Sequence, residues 1–342
     1  MNLIVTACQV PFLSGGATYH IDGLVAALRR EGHAVELLRF PFQFQPEASI
    51  HQLMAHCESL DLSQPNGQRV DRVISLQFPG YGVNHPHHVV WLMHQHRSVY
   101  ELYQADTAGS EQARLRDAVT AYDNRVLPKA RHLFANSQRV AERLREYNGL
   151  EAEPLAHPPA LAERFHCAPA QPYIFYPSRL ESLKRQDLLI EAARHLRSPV
   201  GILIAGAGGQ EARYRELIAR HGLEHRVKLL GHLTEEEKIA FYANALGVFF
   251  GPFDEDYGYI TLEAMLSSKP VLTCNDSGGP LAFVADGETG RVVAPDALAI
   301  ARAIDELHER PEQAARMGRA GRARYQSLDI SWERTVSRLL AV

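Results

Sequence analysis

The sequence predicts an α/β protein built of two parallel-sheet domains in tandem, and three observations carry that reading. Its 342 residues are about twice the length of a usual domain, with 46% hydrophobic and 22% charged residues as in an ordinary soluble enzyme. Short apolar runs of strand length alternate with amphipathic helical stretches from the first residues onward, the pattern of strand-helix-strand crossovers. The alternation breaks once, over a proline-rich stretch without period between Pro159 and Pro172, and then restarts.

Composition narrows the function classes. A net charge of −4 gives no general attraction for nucleic acid. No apolar run is long enough to span a bilayer, and Met1 leads straight into the strand-like NLIVTA without a basic leader, so a cytoplasmic location is expected. Cys8, Cys57, Cys167 and Cys274 are scattered without CxxC spacing, which argues for free thiols and against a zinc ribbon.

In the first half, residues 2–7 read as a strand that ends in a loop containing Ser14, Gly15 and Gly16. A helix follows with Ile21, Leu24, Val25 and Leu28 on one face, Gly32 closes it, and residues 34–40 form the next strand. This strand-helix-strand unit lacks GxGxxG spacing, and Arg39 and Phe40 stand where an acidic residue would hold an NAD ribose. Residues 47–60 read as helix, and residues 72–76 and 89–93 as buried strands. The second of these strands ends at His94-Gln95-His96-Arg97, on the carboxyl edge where such sheets collect ligands. His85, His87 and His88 lie upstream at irregular spacing without interleaved carboxylate or cysteine, which argues against a metal site. Residues 111–149 read as mostly helical, broken at Pro128 and by a strand at 132–135, with Asn136-Ser137 capping the next helix. The mild basic excess of this segment suits a solvated face and allows peripheral contact with an anionic membrane.

In the second half, strands are expected at residues 173–177, 201–205, 227–230, 246–250 and 270–274, with helices at 184–196, up to His221 and from Thr234. Glycine-rich or basic loops follow several of them: Ser178-Arg179-Leu180-Glu181-Ser182 with Lys184 beyond, Gly206-Ala207-Gly208-Gly209, Gly231, and Asn275-Asp276-Ser277-Gly278-Gly279-Pro280. Further helices reach Gln326, and residues 331–342 form a last amphipathic one.

The stretch GPFDEDYGYITLEAM, residues 251–265, organises this half because it carries Glu255 and Glu263 eight residues apart across an expected helix start near Tyr257. At about 1.5 Å rise per residue, the carboxylates would stand up to ~12 Å apart along the axis. Between them the first amides of the helix, at Gly258, Tyr259 and Ile260, would face an anion with the helix dipole behind them. Gly258 would let the backbone approach a ligand. The plain alternative is an amphipathic helix with two incidental surface glutamates.

Taken together, these residues resemble family 4 of the retaining nucleotide-sugar glycosyltransferases. The resemblance rests on the SGGA loop, His94 after a strand, FANS at Phe134–Ser137, HPP at His157–Pro159, YPSRLESLKRQDLLIEA within Tyr173–Ala192, LLGHLTEEEK at Leu229–Lys238, and the E-x7-E stretch followed by KPVLTCNDSGG. It implies the GT-B fold, with two Rossmann-like domains of about residues 1–168 and 169–327 facing a central cleft and the helix in 328–342 crossing back to the first domain. By the same resemblance, Arg179 and Lys184 hold the donor diphosphate, Glu263 the ribose hydroxyls and Glu255 hydroxyls of the transferred sugar. Gly206, Gly231 and Leu233 would face the base, Gly15 and Gly16 would approach the diphosphate, and His94 would contact the sugar near its reacting carbon.

The implied reaction is retaining transfer from a UDP- or GDP-linked sugar to a glycan or lipid-linked acceptor, with no metal or other cofactor. The residues agree, since cations and a helix start can neutralise a leaving diphosphate and no DxD-like segment is placed for a divalent ion. Two departures stand out: Gln95 where many relatives are acidic, and Ala282 where many carry Glu. A sugar-nucleotide epimerase and a catalytically silent nucleotide-sugar-binding protein are the alternatives on the same fold.

Overall fold

A computed structural model of the chain describes residues 1–12 and 15–342, so Ser14 of the SGGA loop lies outside the described residues. The chain divides into two compact units, Met1–Pro158 with Ile330–Val342, and Pro159–Asp329. Among the described residues, each is built on a six-stranded parallel sheet.

In the first unit the order in sequence is β1 (Asn2–Gln9), α1 (Gly16–Arg30), β2 (Ala34–Pro41), α2 (Glu47–Ser59), β3 (Arg72–Ser75), β4 (His88–Leu92), α3 (Ser110–Val126), β5 (His132–Ala135), α4 (Gln138–Asn148) and β6 (Glu153–Pro154). In the sheet the order is β2-β1-β3-β4-β5-β6. Alternate residues of the same strand feed two cores. Ile4, Val73 and Val90 pack on one face, while Leu3, Val5, Ile74 and Trp91 pack on the other. Burial on both faces is why these strands read as continuous apolar runs. The hydroxyl of Ser137 accepts from the Val140 amide and caps α4.

The upstream histidines serve this core. His88 meets the Ser75 hydroxyl at 2.7 Å and burial pushes its imidazole down to about 4. His85 bonds the Val70 carbonyl and His87 pairs with Arg131. His96 is buried among Phe42, Phe44 and Phe78, and burial, reinforced by His94, lowers it to about 4. His157 of the HPP motif packs against Trp91, Trp332 and His20, and burial holds it at about 3. Burial among aromatic rings accounts for His96 and His157, and the Ser75 hydroxyl for His88.

The second unit contains β7 (Tyr173–Pro177), α5 (Gln186–Ala193), β8 (Gly201–Ala205), α6 (Glu211–Arg220), β9 (Val227–Gly231), α7 (Glu235–Asn244), β10 (Gly247–Phe249), α8 (Tyr259–Leu266), β11 (Val271–Cys274), β12 (Gly290–Val293), α9 (Ala297–Glu309) and α10 (Pro311–Ser327). Its sheet runs β12-β11-β10-β7-β8-β9, so the strand order reverses between β7 and β10. Ligands of open α/β sheets collect beyond the carboxyl ends of strands at such a reversal.

The proline-rich stretch from Pro159 is bound to this second unit. The Ala168 amide donates to the Ala243 carbonyl at 2.9 Å, Lys269 donates to the Ala168 carbonyl at 2.9 Å, and Phe165 packs edge-on against Tyr242. The last helix, α11 (Trp332–Leu340), packs in the first unit, where Val336 and Leu339 join the core beside α1. Gly23 makes room for it: a Cβ there would stand 2.2 Å from the Trp332 ring. Arg72 donates to the carbonyls of Leu339 and Val342. Among the described residues, no helix is long and apolar enough to cross a membrane.

Two expected helices begin elsewhere. The one expected from Lys184 is preceded by a short 3₁₀ turn, Ser182–Lys184, and α5 starts only at Gln186, because Arg185 takes a left-handed conformation at φ 51°. The one expected near Tyr257 starts at Tyr259, after Gly258 at φ 91°. Glu255 therefore precedes the helix, and a separation measured along a helical axis does not apply to the pair. Nor is α8 amphipathic, since every residue from Ile260 to Leu266 is buried.

Candidate active site

Three loops meet beyond the carboxyl ends of β7, β10 and β11. The loop after β10 lies against the loop after β11: the amides of Asp254 and Glu255 donate to the carbonyls of Asp276 and Ser277 at 3.0 and 2.9 Å, and the Gly279 amide returns a bond to the Glu255 carbonyl at 2.7 Å. Gly278 makes this approach feasible, being at φ 69° with the position of a Cβ only 2.6 Å from the Glu255 carbonyl oxygen. The Phe253 amide donates to the Leu183 carbonyl at 2.8 Å, which ties in the loop after β7. Gly258 sits at φ 91°, where a side chain is disfavoured, and a Cβ there would stand 3.0 and 3.2 Å from Pro280 and Phe250.

Glu255 and Lys184 form an ion pair, with side chains 17% and 18% exposed. Their turn is held independently, by the Tyr176 hydroxyl donating to the Lys184 carbonyl and the Lys184 amide donating to the Glu181 carbonyl at 2.9 Å. The Arg179 side chain is exposed and has no hydrogen bond or ion pair among the described residues. Glu263 is 7% exposed, far from an incidental surface carboxylate. Its Oε2 accepts from the buried Tyr242 hydroxyl at 2.6 Å and its Oε1 from Lys238 at 3.3 Å. Burial and the neighbouring carboxylate raise the Tyr242 phenol well above its ordinary range, so it remains a donor.

Gly206 and Gly231 are brought together by a bond of 2.7 Å from the Gly206 amide to the Gly231 carbonyl. The Gly206 backbone, at φ 121°, lies so close to the loop after β7 that a Cβ would stand 2.1 Å from the Ser178 carbonyl oxygen. Leu233 follows just before Thr234, whose reciprocal capping with Glu237 starts α7. Tyr259 and Ile260 open α8, with the Tyr259 ring edge-on to Tyr257 at 5.1 Å.

Gly15, Gly16 and His94 lie in the first unit. Gly15 precedes α1 in extended backbone and Gly16 begins the helix. His94 follows β4, with Nδ1 at 2.7 Å from the Gln95 carbonyl. Gln95 turns into the protein, 1% exposed, and its amide donates to Asn148 at 2.5 Å.

Sequence reasoning missed four residues that shape the second unit's site. Tyr242 and Lys238 hold Glu263. Gln186, fully buried, donates to the Arg179 carbonyl at 2.9 Å and accepts from the Tyr214 hydroxyl at 3.1 Å, fixing the loop after β7. Arg185 reaches Asp276 with both terminal nitrogens at 2.7 Å. The T-x-x-E capping box was readable and would have placed Lys238 and Tyr242 on one helix, but nothing in the sequence directs them to Glu263.

Asp254-Glu255-Asp256 has the spacing of a DxD triplet, contrary to the expectation that none is placed here. Its central carboxylate is committed to Lys184. Among the described residues, no three His, Cys, Asp or Glu side chains are grouped to hold a metal ion.

Two parallel-sheet units with this topology define the GT-B fold of glycosyltransferases. Residues 163–324 match the family described as glycosyl transferases group 1, a stretch that covers nearly the whole second unit. Among curated proteins, the alpha-1,3/1,6-mannosyltransferase ALG2 of Homo sapiens is 31% identical over 163 residues, 43% of this chain and 39% of that protein. The chain thus spans well under half the length of that relative. The sucrose-phosphate synthase structure from Thermosynechococcus elongatus superimposes with a TM-score of 0.79 at 19% identity, covering 99% of this chain and 97% of that one. Anabaena HepE in complex with UDP and glucose gives 0.73 at 19% identity, over 100% and 99% of the two chains. At these identities, the structural likenesses establish the fold alone.

Proposed function

We propose that the protein is a retaining glycosyltransferase that moves a sugar from a nucleoside-diphosphate donor to a hydroxyl of a glycan or lipid-linked acceptor, without a metal ion. The observation that carries this reading is the half-buried Lys184–Glu255 pair beside the start of α8, at the reversal of the second sheet. An entering diphosphate offers Lys184 a stronger anion, and the exchange of partners frees Glu255 to accept from hydroxyls of the transferred sugar. Arg179 adds a second cation, and the first amides of α8 add dipoles that need no reorganisation as charge develops. Glu263, already oriented by Tyr242 and Lys238, suits the vicinal hydroxyls of a ribose.

In the transfer step, the bond from the anomeric carbon to the phosphate oxygen breaks with both electrons going to the phosphate. The acceptor oxygen bonds to that carbon from the same face, and its proton passes to the departing phosphate oxygen. The family match and the UDP and glucose bound by the HepE structure support a nucleotide-sugar donor.

A thermal-shift screen of nucleoside diphosphates and their sugar conjugates tests this reading. A true ligand at 100 times its dissociation constant stabilises the protein by about 2.7 kcal/mol, readable as a clear rise in Tm. A protein whose Tm is unmoved by every nucleoside diphosphate at millimolar concentration is not using this site as proposed.

A further inference from the structure

Arg185 follows Lys184 directly, yet the proposed reaction assigns it nothing. Its backbone lies in the left-handed region, at φ 51° and ψ 44°, where a side chain is disfavoured and glycine would be at ease. The conformation is matched by what the side chain reaches. Nε donates to the Gly251 carbonyl at 2.9 Å, Nη2 to the Pro252 carbonyl at 2.7 Å, and Nη1 and Nη2 together to the two oxygens of Asp276 at 2.7 Å. The Phe253 ring covers the guanidinium at 5.8 Å. One fork thus binds the two carbonyls at the head of the segment carrying Glu255, and also the loop whose Asp276 and Ser277 carbonyls receive the amides of Asp254 and Glu255.

We propose that Arg185 is a positioning residue, a latch that joins the loops after β7, β10 and β11 and thereby holds the Glu255 carboxylate where the transferred sugar needs it. This rests on the role given to Glu255 above. Lys184 does not depend on the latch, because its turn keeps the bonds from Tyr176 and to Glu181. Loss of the guanidinium should therefore misplace Glu255 and spare the cation that meets the diphosphate. Lysine cannot replace the planar fork, which makes Arg185→Lys a graded probe.

The test compares Arg185→Gly, Arg185→Lys and Asp276→Asn with the wild type. Glycine accepts the left-handed backbone, so Arg185→Gly removes the latch without adding strain. It is expected to lower kcat about 100-fold, the scale of an ångström-sized misplacement, with the Kd of a nucleoside diphosphate changed less than about threefold. Arg185→Lys should fall between, and Asp276→Asn combined with Arg185→Gly should be no slower than Arg185→Gly alone. The amides of Asp254 and Glu255 should exchange with deuterium at least about tenfold faster in Arg185→Gly, while those of α8 keep their rates. That readout needs no turnover, so failure of the wild type to transfer sugar would defeat the reaction proposed above and leave the latch to be judged by exchange. Unchanged exchange at Asp254 and Glu255, a wild-type kcat in Arg185→Gly, or a kcat loss matched by an equal loss of nucleotide affinity and a lowered Tm overturns the inference.

Discussion

Glu255→Gln is expected to lower kcat about 10–100-fold while leaving nucleoside-diphosphate affinity unchanged or a few-fold tighter, since a hydrogen bond to a charged group contributes about 1.5–3 kcal/mol. The sign of the binding effect follows from the ion pair. In the free protein Glu255 competes with the diphosphate for Lys184, and the amide of Gln removes that competition without emptying the space. Glu263→Gln should behave differently, weakening free nucleotide and donor alike, because Glu263 is held by Tyr242 and Lys238. Calorimetry of the nucleotide, together with steady-state kinetics of the donor, separates the two variants. A fully active Glu255→Gln enzyme would remove Glu255 from the sugar.

Arg179→Ala and Lys184→Ala are each expected to weaken nucleoside-diphosphate binding by about 1.5–3 kcal/mol while nucleoside binding stays the same, because each deletes a charge-assisted contact made only to phosphate. Lys184→Ala should be the worse of the two. It also strands the half-buried Glu255 carboxylate without its cation, so an approaching diphosphate meets a bare negative charge. Titrating each variant with a nucleoside and its diphosphate gives the comparison. Equal losses for both ligands would show that these side chains do not meet the diphosphate.

Much of the fold was legible because the strands β1, β3, β4, β7, β10 and β11 are buried on both faces over nearly their whole length. The runs at His132–Ala135, Tyr173–Pro177 and Gly201–Ala205 have the bounds that their apolar composition suggests. Helix starts were less so where a single backbone conformation decides them. Nothing in the letters LKRQ announces that Arg185 turns left-handed, and Gly258 could have been read as the first turn of α8 or as its cap. The site was legible as a set of charges and glycines, but the pairings were not. Lys184 and Glu255 are 71 residues apart, and only the strand order that sets β7 beside β10 joins them. Tyr242 reads as core in a helix of ordinary composition, and its second role, as donor to Glu263, depends on where α8 lies. The close approach of the Gly206 backbone to Ser178, and the positive φ of Gly258 beside Pro280 and Phe250, could not be read from the letters either.

The central claim is metal-independent transfer with retained configuration, and the anomeric coupling constant of the product, measured by NMR after turnover in EDTA, tests it most directly. The account places the charge of the leaving diphosphate on Arg179, Lys184 and the start of α8, so activity should be undiminished by the chelator. An α-linked donor should give an α-linked product. A β-linked product, or activity that returns only when Mn²⁺ or Mg²⁺ is added, would contradict it.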